Sequence, residues 1–282
     1  MLRPFLSLLM ASVATAVGLA LLLIAGHRHA SALTRLAPEP DRGSDALVVL
    51  GVLILGVAAA SLVLHWLGAF VVGAVHLLLG GLAVLIPLSG PLSGAYSPTW
   101  EISGMLRDLD PSLGDASTVF FYSGAAAVLG AFLVGAALGV RSRWDSPPAG
   151  AATVAVSSIV GGVVLVVAVV LLATAGEQFV THLLSQLRYQ FPLALAVAVG
   201  AVLAGVGGLT LRWSSAGVIL IGVVALVAGV VAIIAGSSLP VELAGPRVIA
   251  YGFVPVLGIS FLAAGIAGKL RQTPESETTV AL

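Results

Sequence analysis

Residues 46–88 read ALVVLGVLILGVAAASLVLHWLGAFVVGAVHLLLGGLAVLIPL, an apolar run with no acidic, lysine or arginine side chain and only His65 and His76 able to titrate. A single helix over this run would be about 65 Å long at ~1.5 Å per residue, roughly twice the hydrocarbon thickness of a bilayer. The run must therefore fold back on itself, and Trp66-Leu67-Gly68 is the place where it turns. His65 then belongs to an interfacial turn, and His76 to the interior of the following helix. Read as one helix, the 11-residue spacing would have put both imidazoles on one face.

The same arithmetic extends to the whole chain. Of 282 residues, 59% are hydrophobic and 9% charged, and the mean hydropathy is +1.15. A water-soluble domain carries about 25% charged residues, so the chain is expected to be an integral membrane protein. Its 34 glycines suit close helix contacts in lipid, where small residues let backbones approach. The absence of cysteine excludes disulfides, thiolate metal sites, iron–sulfur clusters and cysteine nucleophiles. Twelve basic and twelve acidic residues leave no net charge for binding nucleic acid.

The pattern predicts an all-α, polytopic transmembrane helical bundle of about eight spans, near 5–26, 46–64, 67–88, 116–140, 151–176, 193–211, 216–236 and 248–268. Residues 1–268 form one multi-pass domain, and the polar tail 269–282 is expected to be disordered in the cytoplasm. The span-flanking basic residues divide six and six between the two sides, so they fix no orientation on their own. The inner turns are nevertheless short and basic, and nine of twelve acids accompany the longer loops on the other side. The expected arrangement places both termini in the cytoplasm of a bacterial cell, with the protein in its inner membrane. The N-terminal run has the outline of a signal peptide, with a small-residue triplet at Ala30-Ser31-Ala32. Its apolar part is longer than the ~7–15 residues of a cleaved signal, and an uncleaved anchor is expected.

Three turns share a theme of an apolar span end, a basic or His residue, a tryptophan and a restart on small residues. They centre on Trp66, Trp144 and Trp213, which are 78 and 69 residues apart. His65, Trp66, Arg143, Trp144, Arg212 and Trp213 read as interfacial anchors, because amphipathic rings and long cationic side chains both favour the headgroup layer. Repeated helical hairpins are the alternative reading of the same turns. On the other side, 97–109 places Ile102, Met105, Leu106 and Leu109 on one helical face, with Ser97 as N-cap and Pro98 as first helical residue. Residues 177–191 place Phe179, Leu183 and Leu187 likewise. Both segments are expected to be amphipathic helices on the outer surface, against lipid or a partner.

Chemistry has little material to work with. No Asp, Glu, Lys or Arg lies in a predicted span away from its ends, and no phosphate-binding loop or HExxH motif occurs. His76 is the candidate intramembrane polar site, with Ser157, Ser158 and Thr174 as hydroxyl partners to test. Pro255 is a candidate hinge in the last span. Gly135 and Gly139, with Ala264 and Gly268 as a looser version, are the candidate helix-packing pairs. His27, His29 and His182 have no fixed carboxylate spacing, and neither metal nor other cofactor is expected. The preferred function is that of a non-enzymatic scaffold or accessory subunit, docking a partner protein or envelope lipid through the outer amphipathic loops. The expected company is the bilayer together with a protein partner or a homo-oligomer, and no nucleic acid. A small transporter or channel-like protein for a lipid or other hydrophobic substrate is the alternative.

Overall fold

The structure, a computed structural model, describes residues 2–34, 42–86, 98–143, 149–186, 189–235, 249 and 251–270. Among these residues there is no strand, and eight helices are long and apolar enough to cross a membrane. The chain is an all-α helical bundle. Its spans are α1 (Leu2–Thr34), α2 (Arg42–Ala60), α3 (Trp66–Leu85), α6 (Ala125–Arg143), α7 (Ala151–Leu171), α9 (Phe191–Leu209), α10 (Ala216–Ala235) and α11 (Phe253–Leu270). Three shorter helices cap one end: α4 (Pro98–Leu109), α5 (Pro111–Tyr122) and α8 (Glu177–Gln186). We call this end the loop face and the opposite end, where residues 61–65 and 210–215 reverse direction, the turn face.

Two boundaries differ from the hydropathy pattern for local reasons. The apolar run 116–140 is not one helix: α5 ends at Tyr122, and α6 restarts beyond Gly124 at φ +83°. That left-handed conformation costs an L-residue about 1–2 kcal/mol, and a Cβ at Gly124 would overlap Val197 Cγ1. Conversely, α7 does not stop at Gly176 but continues through a π-helical turn, Leu172–Gly176, into α8. Added Cβ atoms at Gly176 would strike the Ser123 carbonyl, so this bulge is where the long rod passes the α5–α6 corner.

Neighbouring spans form a closed circuit: α1 packs on α2, α2 on α11, α11 on α10, α10 on α7, α7 on α9, α9 on α6, α6 on α3, and α3 on α1. The most buried spans, α6 and α11, also meet across the centre, where the Phe132 and Phe261 rings lie 4.4 Å apart. This circuit has a two-fold pattern. Replacing each span of the first four by its counterpart among the last four maps the contacts onto one another.

The atomic detail follows the same exchange. Ser61 and Thr210, 149 residues apart, each donate to the carbonyl three residues back, at 2.7 Å to Ala58 and 2.6 Å to Gly207. Four residues further on, His65 Nδ1 accepts from Leu67 N–H at 3.2 Å and Ser214 Oγ from Ala216 N–H at 3.3 Å, so the two residues cap equivalent helices. Gly73 approaches the Gly130 carbonyl of α6 as Gly222 approaches the Gly258 carbonyl of α11, with 2.9 and 3.0 Å left for a Cβ. Gly124 and Gly252, at φ +83° and +79°, open the two central spans. Each half has four spans, an even number, so the halves run in the same sense and their axis lies along the membrane normal. The repeating unit is thus a four-span bundle, larger than the hairpin suggested by the tryptophan spacing. Trp66 and Trp213 flank the same turn on opposite sides of its capping residue, and Trp144 lies outside the described residues.

Candidate functional site

His76 sits midway along α3 and is buried. Its Nδ1–H donates to the Val72 carbonyl one turn back, at 2.9 Å, and its ring forms a T-shaped pair with Phe120, the centroids 5.9 Å apart. Phe120 lies 5.2 Å from Phe253, Phe253 stacks on Tyr251 at 5.8 Å, and the Tyr251 hydroxyl is 3.3 Å from His27 Nδ1. A file of rings therefore runs from the loop face down to His76. The hydroxyls proposed as its partners are engaged elsewhere: Ser157 with the Thr153 carbonyl, Ser158 with Ser214, and Thr174 with the Val170 carbonyl. In the second half the position equivalent to His76 is Ala225, so the imidazole is a departure from the repeat.

The loop face is organised by α4 and α5. Asp110 caps α5 by accepting from Ser112 N–H at 2.7 Å, and that backbone bond, chiefly, holds its carboxyl below the ordinary aspartate range. Thr99 and Ser103 form the buried side of α4: Thr99 donates to the Tyr122 hydroxyl at 3.3 Å, and Ser117 donates to Ser103 at 3.0 Å. Gly114 lets α5 come against the backbone of Arg107, whose guanidinium reaches Asp115 at 2.6 Å. Small hydroxyl residues can approach a neighbouring helix more closely than leucines, which explains why the apolar stripe is not the inward one. Ile102 still packs against the core, Leu106 is half-buried, and Met105 and Leu109 are 66% and 79% exposed.

The second expected amphipathic face is placed differently. Phe179 and Leu183 on α8 are covered by the chain itself, with Tyr189 set edge-on to Phe179 at 5.6 Å. The Tyr189 hydroxyl donates to the Val84 carbonyl at 3.1 Å, and partial burial raises its pKa above the ordinary tyrosine value. These apolar side chains are used to seal α8 onto the bundle rather than to form an outer surface. Leu187 lies outside the described residues.

Pro255 is in the first turn of α11, where a missing N–H costs no intrahelical bond, and it packs beside Gly229. No mid-span break arises there, because the helix begins at Phe253 rather than near 248. Gly135 and Gly139 lie on the α6–α9 crossing: a Cβ at Gly135 would overlap the Gly205 carbonyl, and one at Gly139 would be 2.9 Å from the Gly208 carbonyl. Ala264 is fully buried, and Gly268 faces Leu211 at an ordinary 3.5 Å. At the turn face, the Arg141 guanidinium covers the Trp66 ring at 4.5 Å, Arg212 covers Trp213 at 5.3 Å, and Arg143 donates to the Leu211 carbonyl at 3.1 Å. Arg141, which sequence reading left out, is thus the cation that joins the ends of α6 and α3.

The histidines of the loop face are kept apart. His29 pairs with Asp45 at 2.7 Å between α1 and α2, His27 lies by Tyr251, and His182 bonds the Gln178 carbonyl. Among the described residues no three His, Asp or Glu side chains converge on a metal-sized site. Compared with protein families, curated proteins and solved structures, the chain matches none.

Proposed function

We propose that this integral membrane protein is a non-enzymatic scaffold or accessory subunit whose α4 docks a partner protein at the loop face. The observation that carries this reading is the division of α4 into two sides. One side is fixed to α5 through Thr99, Ser103, Ser117 and Tyr122, and the other presents Met105 and Leu109. An apolar ridge held on a rigid support is suited to protein contact, because little ordering entropy remains to be lost on binding. Eight spans place the body of the protein in a bilayer, and we assign it to a bacterial inner membrane with both termini in the cytoplasm.

The test is gentle crosslinking in native membranes followed by extraction in mild detergent. The wild type is expected to carry a discrete crosslinked protein, and Met105→Glu/Leu109→Glu is expected to lower its yield about tenfold, as loss of roughly 1.4 kcal/mol would. Recovery of the wild type as a lone monomer overturns the docking reading. The four-span repeat supports a second reading, transport of a hydrophobic substrate, since parallel repeats around a normal axis are a transporter architecture. The packed Phe132–Phe261 centre favours the first.

A further inference from the structure

One side of the bundle is not filled. Between α3, α6 and α9 lies a groove of about 390 Å³ whose lining is apolar throughout, including Gly81, Ala127, Ala131, Leu138, Gly205 and Leu209. It opens outward at membrane depth: Leu85, Val202 and Val206, also on its walls, are exposed.

The repeat explains why the groove is there. Its counterpart in the other half is bounded by α10, α11 and α2, with Ile259 standing in the place of Ala131, Val230 in that of Gly81, and Gly56 in that of Gly205. On that side Ile259 Cγ1 reaches to 2.5 Å from where a Cβ of Gly56 would be, and the chain plugs its own groove. On this side the methyl of Ala131 leaves the same space empty. An added Cβ at Gly81 meets nothing within 4 Å. The missing volume is that of branched and linear alkyl groups, and its surroundings are hydrocarbon.

The turn-face end of the groove is basic. Leu138 and Leu209 are its last wall residues, and one turn beyond them, about 5 Å along each helix, stand Arg141 and Arg212. Both arginines are exposed residues, and their guanidinium groups lie over tryptophan rings. In the other half the residue equivalent to Arg212 is Val63. Apolar depth with cations at one mouth is complementary to a lipid carrying an anionic headgroup.

We propose that this groove binds one anionic phospholipid, with an acyl chain against Ala131 and Gly205 and the phosphate between Arg141 and Arg212. The site is separate from α4, so it stands or falls independently of the docking reading. The protein is to be reconstituted in vesicles of equal phosphatidylglycerol and phosphatidylcholine, extracted gently, and its retained lipid counted by native mass spectrometry. One phosphatidylglycerol per chain is expected, preferred over phosphatidylcholine by roughly thirtyfold, the effect of two surface cations. Ala131→Ile and Gly81→Val, which copy the closed half, are expected to lose it. Ile259→Ala is expected to keep it and to add a second lipid. Arg141→Gln/Arg212→Gln is expected to retain a lipid but lose the headgroup preference. If Ala131→Ile disturbs folding, Gly81→Val decides, because its side chain enters open space. A wild type that retains no lipid, a folded Gly81→Val that retains as much as wild type, or a second protein chain occupying this face overturns the proposal.

Discussion

Gly130→Leu is expected to abolish recovery of folded protein. Gly130 lies where α6 crosses α3, and a Cβ there would overlap the backbone nitrogen of Leu77 while coming within 2.6 Å of the Gly73 carbonyl. No rotamer change relieves a clash with main chain, so the two spans must separate, at a cost of at least about 3 kcal/mol. In lipid, that separation also removes the van der Waals packing that holds helices together without a hydrophobic drive. Gly81→Ala, on the partner helix α3 but facing open space, is the control and is expected to be neutral. Size-exclusion profiles and thermal aggregation in detergent distinguish the two. Equal behaviour would mean that α3 and α6 do not cross at these glycines.

Phe132→Ala and Phe261→Ala come next in expected effect. These rings form the contact between the two central spans, and both are fully buried. Truncating either leaves a cavity of about 100 Å³, whose cavity term alone, at ~24 cal/mol per Å³, destabilises the bundle by about 2.4 kcal/mol. The pair should also couple by about 1 kcal/mol, since the second truncation no longer loses an aromatic partner. A double-mutant cycle of unfolding in mixed micelles measures both quantities. Additive effects would place the rings in separate environments and remove the central contact between the halves.

The sequence was most readable where a length met a physical limit. Residues 46–88 could not cross a bilayer once, so the hairpin at Trp66 followed without further information, and the capping turn at His65 lies beside it. Legibility failed where structure depends on single glycines in a chain that has 34 of them. Gly124 divides 116–140 because its φ is positive, a property no hydropathy window registers. The inward side of α4 was missed because Thr99 and Ser103 are polar, yet small enough to bond a neighbouring helix. Phe179 and Leu183 gave the right periodicity but not the destination, since an apolar stripe on lipid and one on a bundle look alike. The repeat was hidden for a related reason: its equivalent positions are largely glycine, alanine and serine, while the conspicuous Trp66 and Trp213 differ in register. The groove is legible only after that register is known, when Ala131 can be set beside Ile259.

If the bundle is closed along its axis, the proposed contacts with partner and lipid can lie only at its loop face and on its sides. Because the natural chain has no cysteine, single cysteines can be introduced at the buried centre, Ala136→Cys on α6 and Ser260→Cys on α11, and at Met105 on the exposed ridge of α4. Reaction with a membrane-impermeant thiol reagent should be rapid at Met105→Cys and undetectable at the two central positions. Labelling of Ala136→Cys or Ser260→Cys at a rate comparable to Met105→Cys would instead reveal a water-filled axial path between the two halves.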